Sequence, residues 1–198
     1  MEQVKSHSDS RLLNGCIYCG NTADTREHVP SKVFLDKPYP ENLPIVDACL
    51  ACNNGFSADE DYVAAFIEVV RSETTNIEEI KRRKIASLLK RTPALKSRIQ
   101  SSILYDSSIT IYHMEVERIK KIIVKLARGH VAFELSESVR HDPSHIWWGD
   151  VNTLTEQQRN EFLSDTSVGI LGEVGSRHSK KLVIIDVFLK EINGDKSG

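Results

Sequence analysis

Apolar residues recur at helical spacing in three stretches of the chain. Tyr62, Val63, Phe66, Ile67 and Val70 form one stripe, and Ser57-Ala-Asp-Glu60 ahead of them reads as a capping box that starts a helix. Ile80, Ile85, Leu88 and Leu89 mark a second helix over residues 77–91, with bases on its other side. Val116, Ile119, Ile122, Ile123 and Leu126 mark a third over 115–128, with Gly129 as its C-terminal stop. Residues 155–163 read as a short surface helix. The strand pattern is different: residues 108–113 alternate, Leu43 to Ala48 is a short apolar run, and residues 168–174 and 181–189 are further β candidates. The mixture predicts an α+β fold, with neither an internal repeat nor a long linker.

Composition adds bounds. A chain of 198 residues with 40% hydrophobic and 27% charged residues is long enough for its own core and is ordinary for a globular protein. No apolar run approaches the roughly 20 residues of a membrane span, and the first residues lack the apolar segment of a secretory signal. The expected location is therefore cytoplasmic. The net charge of −2 is an average of unlike parts. Residues 71–128 hold fourteen Lys/Arg against six acids, whereas residues 11–60 hold four against seven. A local excess of bases suits either a phosphate-binding surface or a solvated helix face.

The four cysteines form two C-x2-C pairs, Cys16/Cys19 and Cys49/Cys52, each followed by turn residues. Two thiolates on each of two tight turns complete a tetrahedral S4 set suited to structural Zn²⁺. Two disulfides or a redox pair are the alternatives; the absence of a secretion signal disfavours the disulfides, and two separate redox pairs in so short a span would be odd. The 29 residues between the pairs exceed the roughly 15–20 of a minimal zinc ribbon, so something is inserted. The insert holds the adjacent pair Glu27-His28 at the head of a Val-Pro stretch. The local order reads as knuckle, strand, loop, strand, knuckle, helix.

Cys16-x2-Cys19, Glu27-His28-x-Pro30, Glu41-Asn42-Leu43 and Cys49-x2-Cys52-Asn53 together resemble the HNH endonucleases in their four-cysteine, treble-clef (ββα-metal) form. The resemblance covers about a third of the chain, residues 14–70, and rests on several elements in order. It implies a nuclease module over 12–72; the residue pattern itself reads as a basic mixed helix/strand accessory region over 73–192 with disordered ends at 1–10 and 193–198. It implies that His28 is the general base, that Glu27 and Asn53 hold a catalytic divalent ion, and that Asn42 braces the histidine loop. Glu27 stands where aspartate is more usual and Asn53 where histidine is frequent. Their hard oxygens favour Mg²⁺ or Mn²⁺.

The implied activity is hydrolysis of DNA phosphodiesters, with RNA left open, in a restriction or phage-defence setting. Arg26, Lys32, Arg82 and Arg83 are the expected nucleic-acid contacts, and a homodimer or a partner protein at the C-terminal region would fit. A zinc-knuckle protein that binds nucleic acid without cutting it, or serves assembly, is the alternative. His141 and His145 resemble a metal pair, but Pro143 opposes the helix that would align them. Trp147-Trp148 suits base stacking less well than a core residue and its lid.

Overall fold

The computed structural model describes residues 15–41, 43–106, 109–143, 146, 148 and 154–163. It is a mixed helix and sheet protein, as the patterning predicts. The chain divides into two units, Met1–His141 and Asp142–Gly198.

The described residues of the first unit open on the Cys16 turn, closed by Cys16 N–H on the Asn21 carbonyl (2.7 Å) and Gly20 N–H on the Cys16 carbonyl (2.8 Å). Gly20 sits at φ 83°, which a residue with a Cβ rarely adopts. Strand β1 (Thr25–His28) pairs antiparallel with β2 (Ile45–Ala48), Thr25 opposite Ala48 and His28 opposite Ile45. The first turn is tied to β2 by Ile17 N–H on the Asp47 carbonyl at 3.1 Å.

Helix α1 (Leu50–Ser72) follows β2 directly. It starts well before the Ser57–Glu60 capping box predicted to begin it. Cys49 is the N-cap, its Sγ accepting from Cys52 N–H, and Asp24 accepts from Leu50 N–H at 2.6 Å. These acceptors satisfy N–H groups that a helix start leaves open. Asp24 lies just ahead of β1, 26 residues from Leu50, whereas Cys49 is a local cap; Ser57 and Glu60 lie inside the helix.

The predicted helix over 77–91 is confined to α2 (Arg83–Arg91). Upstream, Asn76 takes Glu78 N–H on its Oδ1 (3.3 Å), and its Nδ2 donates to Glu79 (2.9 Å). Such side-chain bonds give the backbone a turn in place of a helix. Helix α3 (Pro93–Ser101) starts on Pro93, which has no N–H to lose at that position. Strand β3 (Ile103–Asp106), not anticipated, pairs antiparallel with β4 (Ile109–Tyr112), which falls within the predicted 108–113 strand.

Helix α4 (Val116–Leu135) runs straight through Gly129, the predicted stop, and ends at Ser136 with φ 56°. Gly129 is a contact point instead, lying against Val29 just beyond β1. Helix α4 packs on α1 and β2. The core joins Tyr62, Ala65 and Val69 of α1, Ile85 and Leu89 of α2, and Ile122 and Leu126 of α4.

In the second unit, α5 (Glu156–Leu163) lies within the predicted 155–163 helix. Thr155 Oγ1 accepts from Gln158 N–H, and Gln158 Oε1 accepts from Thr155 N–H, a reciprocal cap. The expectations for residues 168–174 and 181–189, for both termini, and for His145 and Trp147 lie outside the described residues. No helix among the described residues is long and apolar enough to cross a membrane.

Candidate metal centre

Folding brings Cys16, Cys19, Cys49 and Cys52 together, every Sγ within 4.8 Å of the others. Cys19 Sγ and Cys49 Sγ are 3.6 Å apart. Tetrahedral Zn²⁺ with bonds of about 2.3 Å sets its sulfurs about 3.8 Å apart, whereas a disulfide needs about 2.05 Å. The donor set therefore fits zinc and is not drawn into disulfides. Both thiols of the second pair lie at the N-terminus of α1, whose dipole favours thiolate. Burial raises Cys16, but hydrogen bonds from the backbones of Cys49, Cys19 and Tyr18 outweigh it and lower the thiol to about 7. Burial and the neighbouring thiols push Cys52 up. Cys16 and Cys49 are buried among Ile17, Tyr18, Val29, Val46, Ala48 and Ala132, with Phe56 against them.

Strand β1 lies between the two cysteine pairs in sequence and turns alternate side chains to opposite faces. His28 is half-buried. Burial first, and the nearby Lys32 ammonium second, hold its pKa below the ordinary 6.5, so the imidazole is neutral at pH 7 and able to accept a proton.

Glu27 faces inward and is buried. Its Oε1 accepts from Lys125 Nζ at 3.0 Å and from Ser31 Oγ at 2.9 Å. Lys125 also donates to Ser31 Oγ at 2.7 Å and to Glu60 Oε1, which Ser31 touches too. Glu27, Ser31, Glu60 and Lys125 thus form one buried polar cluster between β1, α1 and α4. The Lys125 ammonium stands 5.3 Å from the centre of the Phe56 ring. Burial, with the negative charges of Glu27 and Glu60 next, raises the Tyr18 phenol. Its buried hydroxyl has no hydrogen-bond partner among the described residues.

The expected divalent ion does not fit here. Glu27 Oε1 already accepts from the Lys125 ammonium and from Ser31, so a divalent ion placed there would meet a cation inside a buried cluster. Asn53, the other expected ligand, donates from Nδ2 to Thr25 Oγ1 at 3.3 Å. Thr25 in turn donates to the Ala48 carbonyl, so Asn53 here braces the start of the hairpin. Asn42 lies outside the described residues.

The four expected nucleic-acid contacts separate. Arg82 grips Asp36 through Nε (2.7 Å) and Nη2 (3.0 Å) and also donates to the Val33 carbonyl, which fixes the loop after β1. Its side chain is only 10% exposed, so it is a clamp and not a surface cation. Arg26, Lys32 and Arg83 are exposed. Lys32 stands beside His28 and 5.5 Å from the Tyr39 ring centre. Much of the basic 71–128 stretch is engaged within the fold. Arg118 and Lys121 hold Asp59, Arg98 holds Glu115, Lys120 holds Glu117 and Lys125 holds Glu27 and Glu60.

Sequence reasoning passed over Lys125, Glu60 and Ser31. Two of them carried a signal: Lys125 falls on the buried stripe Ile122, Lys125, Gly129, Ala132, and Glu60 on the stripe of Val63 and Ala64. A charge on an apolar stripe needs a partner in the core. Comparison with protein-family models, curated proteins and solved structures gives no match. Fold and site therefore define the class: an α+β protein with a four-cysteine cluster able to hold zinc.

Proposed function

We propose that this chain is a zinc-stabilised phosphodiester hydrolase of the HNH type acting on DNA, with His28 as its general base. The observation that carries the proposal is the order Cys-pair, β1, β2, Cys-pair, α1 with neutral His28 on the strand between the pairs. The same order supports a treble-clef reading of residues 12–72. His28 would take a proton from water as the water oxygen attacks phosphorus and the P–O bond to one deoxyribose oxygen breaks, that oxygen leaving to take a proton from solvent; Lys32 beside His28 would draw the phosphate. Zinc, on its four cysteines, would fix the two turns that frame the strand. Because Glu27 Oε1 is held by Lys125 and Ser31, no step is assigned to Mg²⁺ or Mn²⁺ there. A restriction or defence role rests on the resemblance of the motif alone.

The test is nicking of supercoiled plasmid by the zinc-loaded full chain, with and without added Mg²⁺ or Mn²⁺. His28→Ala should abolish cleavage while zinc content and circular dichroism are unchanged; undiminished cleavage overturns the mechanism. One observation favours a second reading, a zinc module that binds nucleic acid or serves assembly without catalysis: Glu27, expected to be a ligand, is closed off by Lys125. Salt-sensitive DNA binding with no cleavage under any of these conditions would establish it.

A further inference from the structure

We propose that the Lys125 ammonium is the resident cation of the Glu27–Glu60 carboxylate pair, standing where a divalent ion would stand in a carboxylate metal centre. The cluster is then a metal-free positioning element for β1 and the His28 it carries. An ammonium has three protons, and this one has three acceptors: Glu27 Oε1 at 3.0 Å, Ser31 Oγ at 2.7 Å and Glu60 Oε1. All four residues are more than nine-tenths buried. They come from β1, the turn that follows it, α1 and α4, so the ammonium joins three elements at one point.

A divalent ion cannot be added to this arrangement. It would stand beside a positive charge that already holds Glu27 Oε1. Mg²⁺ also dehydrates reluctantly and keeps several waters, for which a cluster more than nine-tenths buried leaves little exposure. Lys125 cannot swing aside easily, because its side chain is 1% exposed and its head lies over the Phe56 ring. The cluster nevertheless has the ingredients of a metal site once the lysine is gone. Two carboxylates face one point, and among the described residues Lys125 is the cation that meets both. Glu27 is on this reading a positioning residue, turned to the opposite face of β1 from its neighbour His28.

The test reads metal uptake and stability, not cleavage, so it stands or falls independently of the hydrolase reading. Zinc-loaded full-length protein is titrated with Mn²⁺, and the loss of the free-ion electron paramagnetic resonance signal is compared with that of Glu27→Gln. The expected result is no Glu27-dependent uptake by the wild type. Lys125→Gln should take up one Mn²⁺ per chain, lose it again in the Glu27→Gln background, and recover its thermal midpoint when Mn²⁺ is added. Wild-type uptake that Glu27→Gln removes overturns the proposal. So does a folded Lys125→Gln protein with no Glu27-dependent uptake. Should Lys125→Gln not fold, Lys125→Arg, which keeps the charge, is expected to fold and take up no Mn²⁺. The wild-type comparison decides the question by itself.

Discussion

Gly129 lies so close to Val29 that a Cβ on the glycine would meet Val29 Cγ2 at 2.6 Å and Cγ1 at 2.9 Å. The absence of a side chain at one position of α4 is what lets the helix cross the end of β1. Mid-helix glycine ordinarily costs about 1 kcal/mol relative to alanine, so Gly129→Ala would stabilise an isolated helix. In the folded protein the added methyl overpacks a site walled by a β-branched side chain, and a net loss of about 1–3 kcal/mol is expected. Urea denaturation measures it. A variant as stable as wild type would show that the contact yields.

Removing one member of a buried ion pair strands the others. Lys125→Met leaves Glu27 and Glu60 facing each other without a cation, and about 3–5 kcal/mol should be lost. Glu27→Gln keeps an acceptor for Ser31 and Lys125 and leaves Glu60 to balance the ammonium, so its loss should be smaller. Chemical denaturation of the two variants side by side checks the ranking.

Tyr18 offers the opposite case. Its buried hydroxyl has no partner among the described residues, so Tyr18→Phe removes a polar atom without breaking a bond. The ring still has its edge-on contact with Phe56, centroids 5.0 Å apart. Thermal melting should shift little or upward. A clear fall would mean that the hydroxyl is bonded in solution.

Zinc should be released by acid and by chelators. Thiolates are the ligands, so protons compete with the metal, and affinity falls as pH falls. Cys16→Ser or Cys49→Ser should lower bound zinc below one per chain, measured by elemental analysis. Retention of a full equivalent by both would refute the S4 assignment.

His130, on α4, sets a separate pH dependence. Burial lowers its pKa below 6.5, and Glu134 opposes the shift without reversing it. The unfolded chain then binds more protons than the folded one between the two values. Stability is complete above about 6.5 and declines as pH falls through the folded value. His130→Gln should flatten that acid slope in denaturation midpoints; an unchanged slope would remove His130 as its source.

The cysteine spacing announced the cluster because both members of each pair share one turn, where local geometry decides their direction. Most helices were legible for a similar reason: periodicity records which face is buried. The first strand, expected to run from Glu27 into the Val-Pro stretch, spans Thr25–His28 instead and ends there. Other failures share a cause. The continuation of α4 depends on Val29, and the role of Glu27 on Lys125, 98 residues away. Each partner is distant in sequence and leaves no local pattern.

Charge shows the division most clearly. The sequence alone established an acidic stretch before residue 61 and a basic one after residue 70, which read as module and binding surface. Tertiary structure joined them through Arg82–Asp36, Arg118–Asp59, Lys121–Asp59 and Lys125–Glu27. Residue charge is a property of the chain, but whether a cation meets solvent phosphate or an internal carboxylate depends on which surfaces hydrophobic burial presses together.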